Sequence, residues 1–129
     1  MINNNGLQLP DWYREYSFGD SKIISVEELV LSPDYKSQQF AKNCLVLHLN
    51  TKQCPYKEIK ELRFYDYRFL TSDIKPKDLS DSWWIIDSLN VSGEDYQWDI
   101  TLQKISPDIY NYSISIIFKR LEIIGKQIS

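Results

Sequence analysis

The stretch Tyr96-Gln97-Trp98-Asp99-Ile100-Thr101-Leu102-Gln103 decides the fold. Large apolar side chains at Tyr96, Trp98, Ile100 and Leu102 alternate with polar ones at Gln97, Asp99, Thr101 and Gln103. A period of two sends successive side chains to opposite sides of a pleated strand, so one face is buried and the other is wet. Sheets with one solvated face are characteristically antiparallel. Just before this run lies another, Trp83 to Val91, and the intervening Ser92-Gly93-Glu94-Asp95 has the spacing of a tight hairpin turn. On its other side Ser106-Pro107-Asp108 supplies turn chemistry before a long apolar run from Ile109 to Ile124.

Working back toward the N-terminus, three more runs have strand length and composition. Leu62 to Leu70 places Tyr65, Tyr67 and Phe69 on one face. Cys44 to Asn50 places Leu45, Leu47 and Leu49 on one face and Cys44, Val46 and His48 on the other. Ile23 to Leu31 is the first run, entered through a turn at Phe18-Gly19-Asp20-Ser21. In the last run the apolar parity is Tyr110, Tyr112, Ile114, Ile116 and Phe118, then shifts to Leu121 and Ile123, the mark of a bulge or bend. Only Leu9 to Tyr16, Ser37 to Lys42, Pro55 to Glu61 and Lys75 to Leu79 read as briefly helical. The expected fold is mainly β: an antiparallel β-sandwich or open barrel of about six strands with little helix. Residues 1–129 are read as a single domain, with the Asn-rich residues 1–8 a loosely ordered arm. The expected core includes Leu45, Leu47, Leu49, Trp98, Ile100, Leu102, Ile114 and Ile116.

The composition fits this reading. Aromatics make up 14% of the 129 residues, and aromatic side chains suit a half-buried pleated surface. A chain of this length buries enough surface to fold without a disulfide or metal. The formal net charge of −3 speaks against general nucleic-acid binding, which needs a basic face. The longest uncharged stretch in the strand region, Ile109 to Phe118, is far shorter than a membrane span. Met1 to Pro10 has neither basic residues nor an apolar segment, so no secretory signal is expected. A cytoplasmic protein with Cys44 and Cys54 reduced is therefore the expectation.

Most catalytic chemistries find no support. Cys44 and His48 share a face of one strand but stand about 13 Å apart at 3.3 Å per residue, too far for a hydrogen-bonded dyad. Two cysteines and one histidine do not make a tetrahedral zinc set. The four glycines are scattered, with no phosphate-cradling loop and no nucleophile elbow. Asp66, Asp87 and Asp99 lie in expected strands and are the remaining candidates for paired-carboxylate catalysis. If Val91 pairs with Tyr96, then Asp87 pairs with Ile100 and falls on the apolar face. A slip of one residue puts Asp87 in water instead, and that simpler placement is the one expected. No catalytic residue, metal site or cofactor site is assigned.

One segment stands apart. Residues 78–103 carry Asp78, Asp81, Asp87, Glu94, Asp95 and Asp99 with no Lys or Arg, together with Trp83, Trp84, Trp98 and Tyr96. Aromatic anchors dominate interface energetics and acidic groups steer a basic partner, so a binding surface is expected at Trp83, Trp84, Asp87, Glu94, Asp95, Tyr96 and Asp99. Adjacent Trp83 and Trp84 must point to opposite faces. In general profile the chain is similar to bacterial immunity proteins that neutralise a cognate, often basic, toxin. This resemblance implies a non-enzymatic, protein-binding role with a basic protein as partner, and no nucleic acid or membrane. The competing expectation is a carbohydrate- or small-ligand-binding β module, since sugars stack on Trp and Tyr and bond to Asp, Asn and Gln.

Overall fold

The computed structural model describes Tyr13 and residues 18–31, 43–50, 57–71 and 73–127. Eight β-segments follow one another: β1 (Lys22–Val30), β2 (Asn43–Asn50), β3 (Lys57–Tyr65), β4 (Arg68–Phe69), β5 (Ser82–Ser92), β6 (Asp95–Lys104), β7 (Tyr110–Phe118) and β8 (Arg120–Gln127). A short 3-10 turn spans Pro76–Leu79 between β4 and β5, started by Pro76 and held by the Lys75 N–H donating to Asp78 Oδ2 at 2.9 Å. The strands form one antiparallel sheet in the order β4-β7-β6-β5-β1-β2-β3-β8.

That order has two ends on paper, but the chain joins them. It passes from β3 to β4 through Asp66 and Tyr67, and from β7 to β8 through Lys119 alone. From Glu61↔Ile124 to Phe69↔Ile116, each step forward on one side is matched by a step back on the other. β3 with β4, and β8 with β7, are thus two bent strands of one continuous ribbon. The bend is visible in the side chains: Tyr65 and Arg120 face outward, with the guanidinium 3.9 Å from the ring centroid, whereas Tyr67 and Phe118 turn inward and are buried. Asp66 takes the left-handed conformation there, at φ 53°. The sheet therefore curls into an open barrel of six long runs. Its seam lies between β1 and β5, which pair only at Lys22↔Trp83 and Ile23↔Ser82.

The interior is aromatic. Trp84 and Trp98 meet edge-on with ring centroids 5.0 Å apart, Phe18 packs 5.2 Å and 5.4 Å from them, and Phe64 lies 5.1 Å from Phe118. All eight residues expected in the core are buried. Several local expectations are corrected. Residues 57–61 belong to β3 rather than to a helical patch, because they pair with β8. Tyr65 does not share a face with Tyr67 and Phe69, because the bend falls between them. Asp66 is in that bend, not in a strand. The patches at Leu9 to Tyr16 (except Tyr13, which is helical) and at Ser37 to Lys42, the arm at residues 1–8, and Cys54 lie outside the described residues. No helix among the described residues is long and apolar enough to cross a membrane.

Candidate functional site

The hairpin β5–β6 keeps the expected register: Val91↔Tyr96, Leu89↔Trp98 and Asp87↔Ile100. No slip occurs, so the placement of Asp87 in water is overturned. Its carboxylate sits on the inner side, half-buried, where Trp84 Nε1 donates to Oδ2 at 2.8 Å. Tyr13 adds a second hydrogen bond, and burial together with the Asp87 charge pushes its hydroxyl up to about 12. A bulge between Trp84 and Ile86 lets Trp84 point inward and Ile86 outward. Trp83 is on the outer side, with Lys22 Nζ 5.7 Å above its ring centroid.

The seven residues singled out from sequence therefore divide. Trp84 is fully buried, Tyr96 packs on Phe118 at 5.6 Å, and Asp87 serves the Trp84 and Tyr13 bonds. These three face the interior, Trp84 wholly buried and Asp87 and Tyr96 in part exposed. Glu94 and Asp95 stand at the hairpin tip, where Asp95 accepts from Lys119 Nζ at 3.1 Å. Trp83 and Asp99 lie on the outer face. Asp87 and Asp99 fall on opposite sides of the sheet, which removes a catalytic carboxylate pair from them. Lys22 likewise holds the Asp81 carboxyl below its ordinary range through a 2.8 Å contact. Two of the six acidic residues of 78–103, Asp81 and Asp95, are thus answered by cations from outside that segment.

What remains is a broad outer face on β5, β6 and β7. Its middle carries Ile86, Ser88 and Asn90, then Gln97, Asp99, Thr101 and Gln103, then Asn111, Ser113 and Ser115. Asp99 is the one charged side chain among these. A hollow of about 480 Å³ opens on the face, lined by Ile86, Asp87, Ser88, Gln97, Asp99, Ile100, Thr101, Ser113, Ile114 and Ser115. Hydrogen bonds along and across the strands arrange its polar groups: Ser115 Oγ on β7 donates to Asp99 Oδ1 at 2.5 Å, and Gln97 Nε2, on the same strand as Asp99, donates to the same oxygen at 3.1 Å. Thr101 and Ser113 hydroxyls meet at 3.4 Å, and Gln103 Nε2 donates to Asn111 Oδ1 at 3.0 Å. Sequence reading missed the β7 half of this face. Its signal was there in the polar alternates Asn111, Ser113 and Ser115 of the last run.

The opposite outer face, on β1, β2, β3 and β8, is a ladder of ions. His48 lies between Glu27 at 3.1 Å and Glu61 at 3.7 Å, and Arg63 Nε donates to Glu61 at 3.0 Å. Cys44 is buried, with its thiol pushed up by that burial, and it bonds weakly to the Leu45 carbonyl rather than to His48. No cluster of three or more His, Cys, Asp or Glu among the described residues is arranged to hold a metal ion. No protein-family model, no curated protein and no solved structure matches the chain.

Proposed function

We propose that this protein is a non-enzymatic protein-binding domain that grips a basic protein partner through the outer face of β5, β6 and β7. Its profile is that of an immunity protein neutralising a cognate toxin in the bacterial cytoplasm. One observation carries the reading: a wide face with an oriented carboxylate at its centre and, among the described residues, no cation in its middle. Ile86 is 65% exposed beside it, and Trp83 lies further along β5. Apolar anchors set in a polar surround are the usual anatomy of an interface. Glu94 and Asp95 at the tip contribute long-range attraction.

The test is capture from the native cell, identification of the bound protein, and reconstitution with that purified protein. Thr101→Arg and Ser113→Arg put like charge and bulk on the face without touching the core. Each is expected to abolish the complex while leaving the far-UV spectrum unchanged. A basic partner whose affinity is unmoved by both variants places the interface elsewhere.

A second reading draws on the lining of the hollow, where hydroxyl and amide groups converge beside an exposed apolar side chain. Under it the face binds a neutral glycan, with weak salt dependence and a change in Trp83 fluorescence on adding sugar.

A further inference from the structure

We infer that the hollow is a lysine subsite, in which Asp99 takes the ε-ammonium of a single lysine projected by the basic partner. The inference rests on the proposed function and names its central contact. Both internal donors to Asp99 reach Oδ1, from Ser115 at 2.5 Å and from Gln97 at 3.1 Å. Oδ2 accepts no hydrogen bond among the described residues. The carboxylate is therefore held in one orientation with one oxygen open, which lowers the ordering cost of a contact made there.

That arrangement selects between the two basic side chains. A guanidinium binds a carboxylate best as a fork, through both oxygens at once. At Asp99 one of those oxygens already takes two donors, so the fork is spoiled. An ammonium is a compact point charge with three donors and needs only one carboxylate oxygen. Its other two donors find hydroxyl acceptors in the same hollow, on Ser88 and Thr101. Ile86, 65% exposed on the rim, offers an apolar wall to the four-carbon stem.

The experiment is a titration of the isotope-labelled full chain, followed by amide chemical shifts, with a lysine-rich peptide and an arginine-rich peptide of equal length and charge. Shifts are expected to centre on Gln97 to Thr101 and on Ser113 to Ser115, with tighter binding of the lysine peptide. Asp99→Asn keeps an oxygen for the Ser115 and Gln97 bonds but removes the charge, and is expected to weaken the lysine peptide about tenfold or more. Asp108→Asn, in the β6–β7 loop, is the control and is expected to change nothing. Equal binding of both peptides on this face, or indifference to Asp99→Asn, overturns the lysine subsite and leaves the face as the binding surface. Shifts confined to other surfaces, or none, overturn the face as well. Shifts of the same amides by maltoheptaose, with none from either peptide, replace both with the glycan reading.

Discussion

Asp87 is a carboxylate on the inner side of a barrel wall, and its neighbours explain how it is tolerated. A buried charge is costly unless donors reach it, and Trp84 Nε1 and the Tyr13 hydroxyl do so. The same contact fixes a pH dependence. The Tyr13 hydroxyl is raised from 10.0 to about 12, chiefly by burial and then by the Asp87 charge. The folded protein thus holds this proton where the unfolded chain has lost it. The Tyr13 contribution is complete below pH 10 and is lost as pH rises toward about 12. Urea midpoints measured across that window are expected to fall, and Tyr13→Phe is expected to remove part of the fall. An identical slope in the variant would show that other tyrosines, such as the raised Tyr112, carry all of it. Packing gives a second expectation at this scale. Ile100 and Ile114 face each other across β6 and β7 and are both buried. Ile100→Ala and Ile114→Ala should each cost about 2–5 kcal/mol in chemical denaturation, against a few tenths for a surface site.

The β5–β6 hairpin is the element whose sequence spoke most clearly. Ser92↔Asp95 closes a two-residue loop in which Gly93 has φ +63°. A left-handed first residue followed by an ordinary one is the II′ pattern, which matches the twist of the flanking strands. A Cβ at Gly93 meets nothing within 4 Å, so the cost of Gly93→Ala is conformational alone. It should be about 1 kcal/mol by thermal or urea midpoint. No loss at all would mean that the loop relaxes to another turn. β3 spoke least clearly. Lys57-Glu58-Ile59-Lys60-Glu61 has one apolar residue in five and no strand signal of its own; β8 makes it a strand by pairing with it. The site was legible in part for a related reason. The acidic, aromatic segment could be read directly, but the bulge at Ile85 and the cations Lys22 and Lys119 decide which of its residues face a partner. A bulge and two remote lysines leave no local pattern.

At the scale of the whole molecule, the six runs in the sequence correspond to six barrel strands because two of them bend without breaking register. Closure itself could not be read, since it joins residues 57–69 to 116–127 across half the chain. The barrel is held unevenly as a result. β6 is paired on both sides, to β5 and β7 along its length, whereas among the described residues β5 pairs beyond Trp84 with no strand but β6, Trp84 itself being tied by its backbone to Asp20 and Ser21. Amide exchange should report this directly, because protection follows hydrogen bonding and local opening. Along Trp98 to Leu102 protection should be continuous and close to that of global unfolding. Along β5 it should alternate, since successive amides of a strand point to opposite edges. The Leu89 N–H is turned to the seam, where the Tyr13 hydroxyl accepts it. Asp87 shares that orientation two residues earlier, and its amide is expected to exchange fast, while Ser88 and Asn90 exchange slowly. Leu89 should be slowed relative to Asp87 by its bond to Tyr13, and Tyr13→Phe should release it without altering Ser88 or Asn90. Uniform protection from Asp87 to Asn90 would mean that the seam is covered along its length, and the barrel would then be closed rather than open.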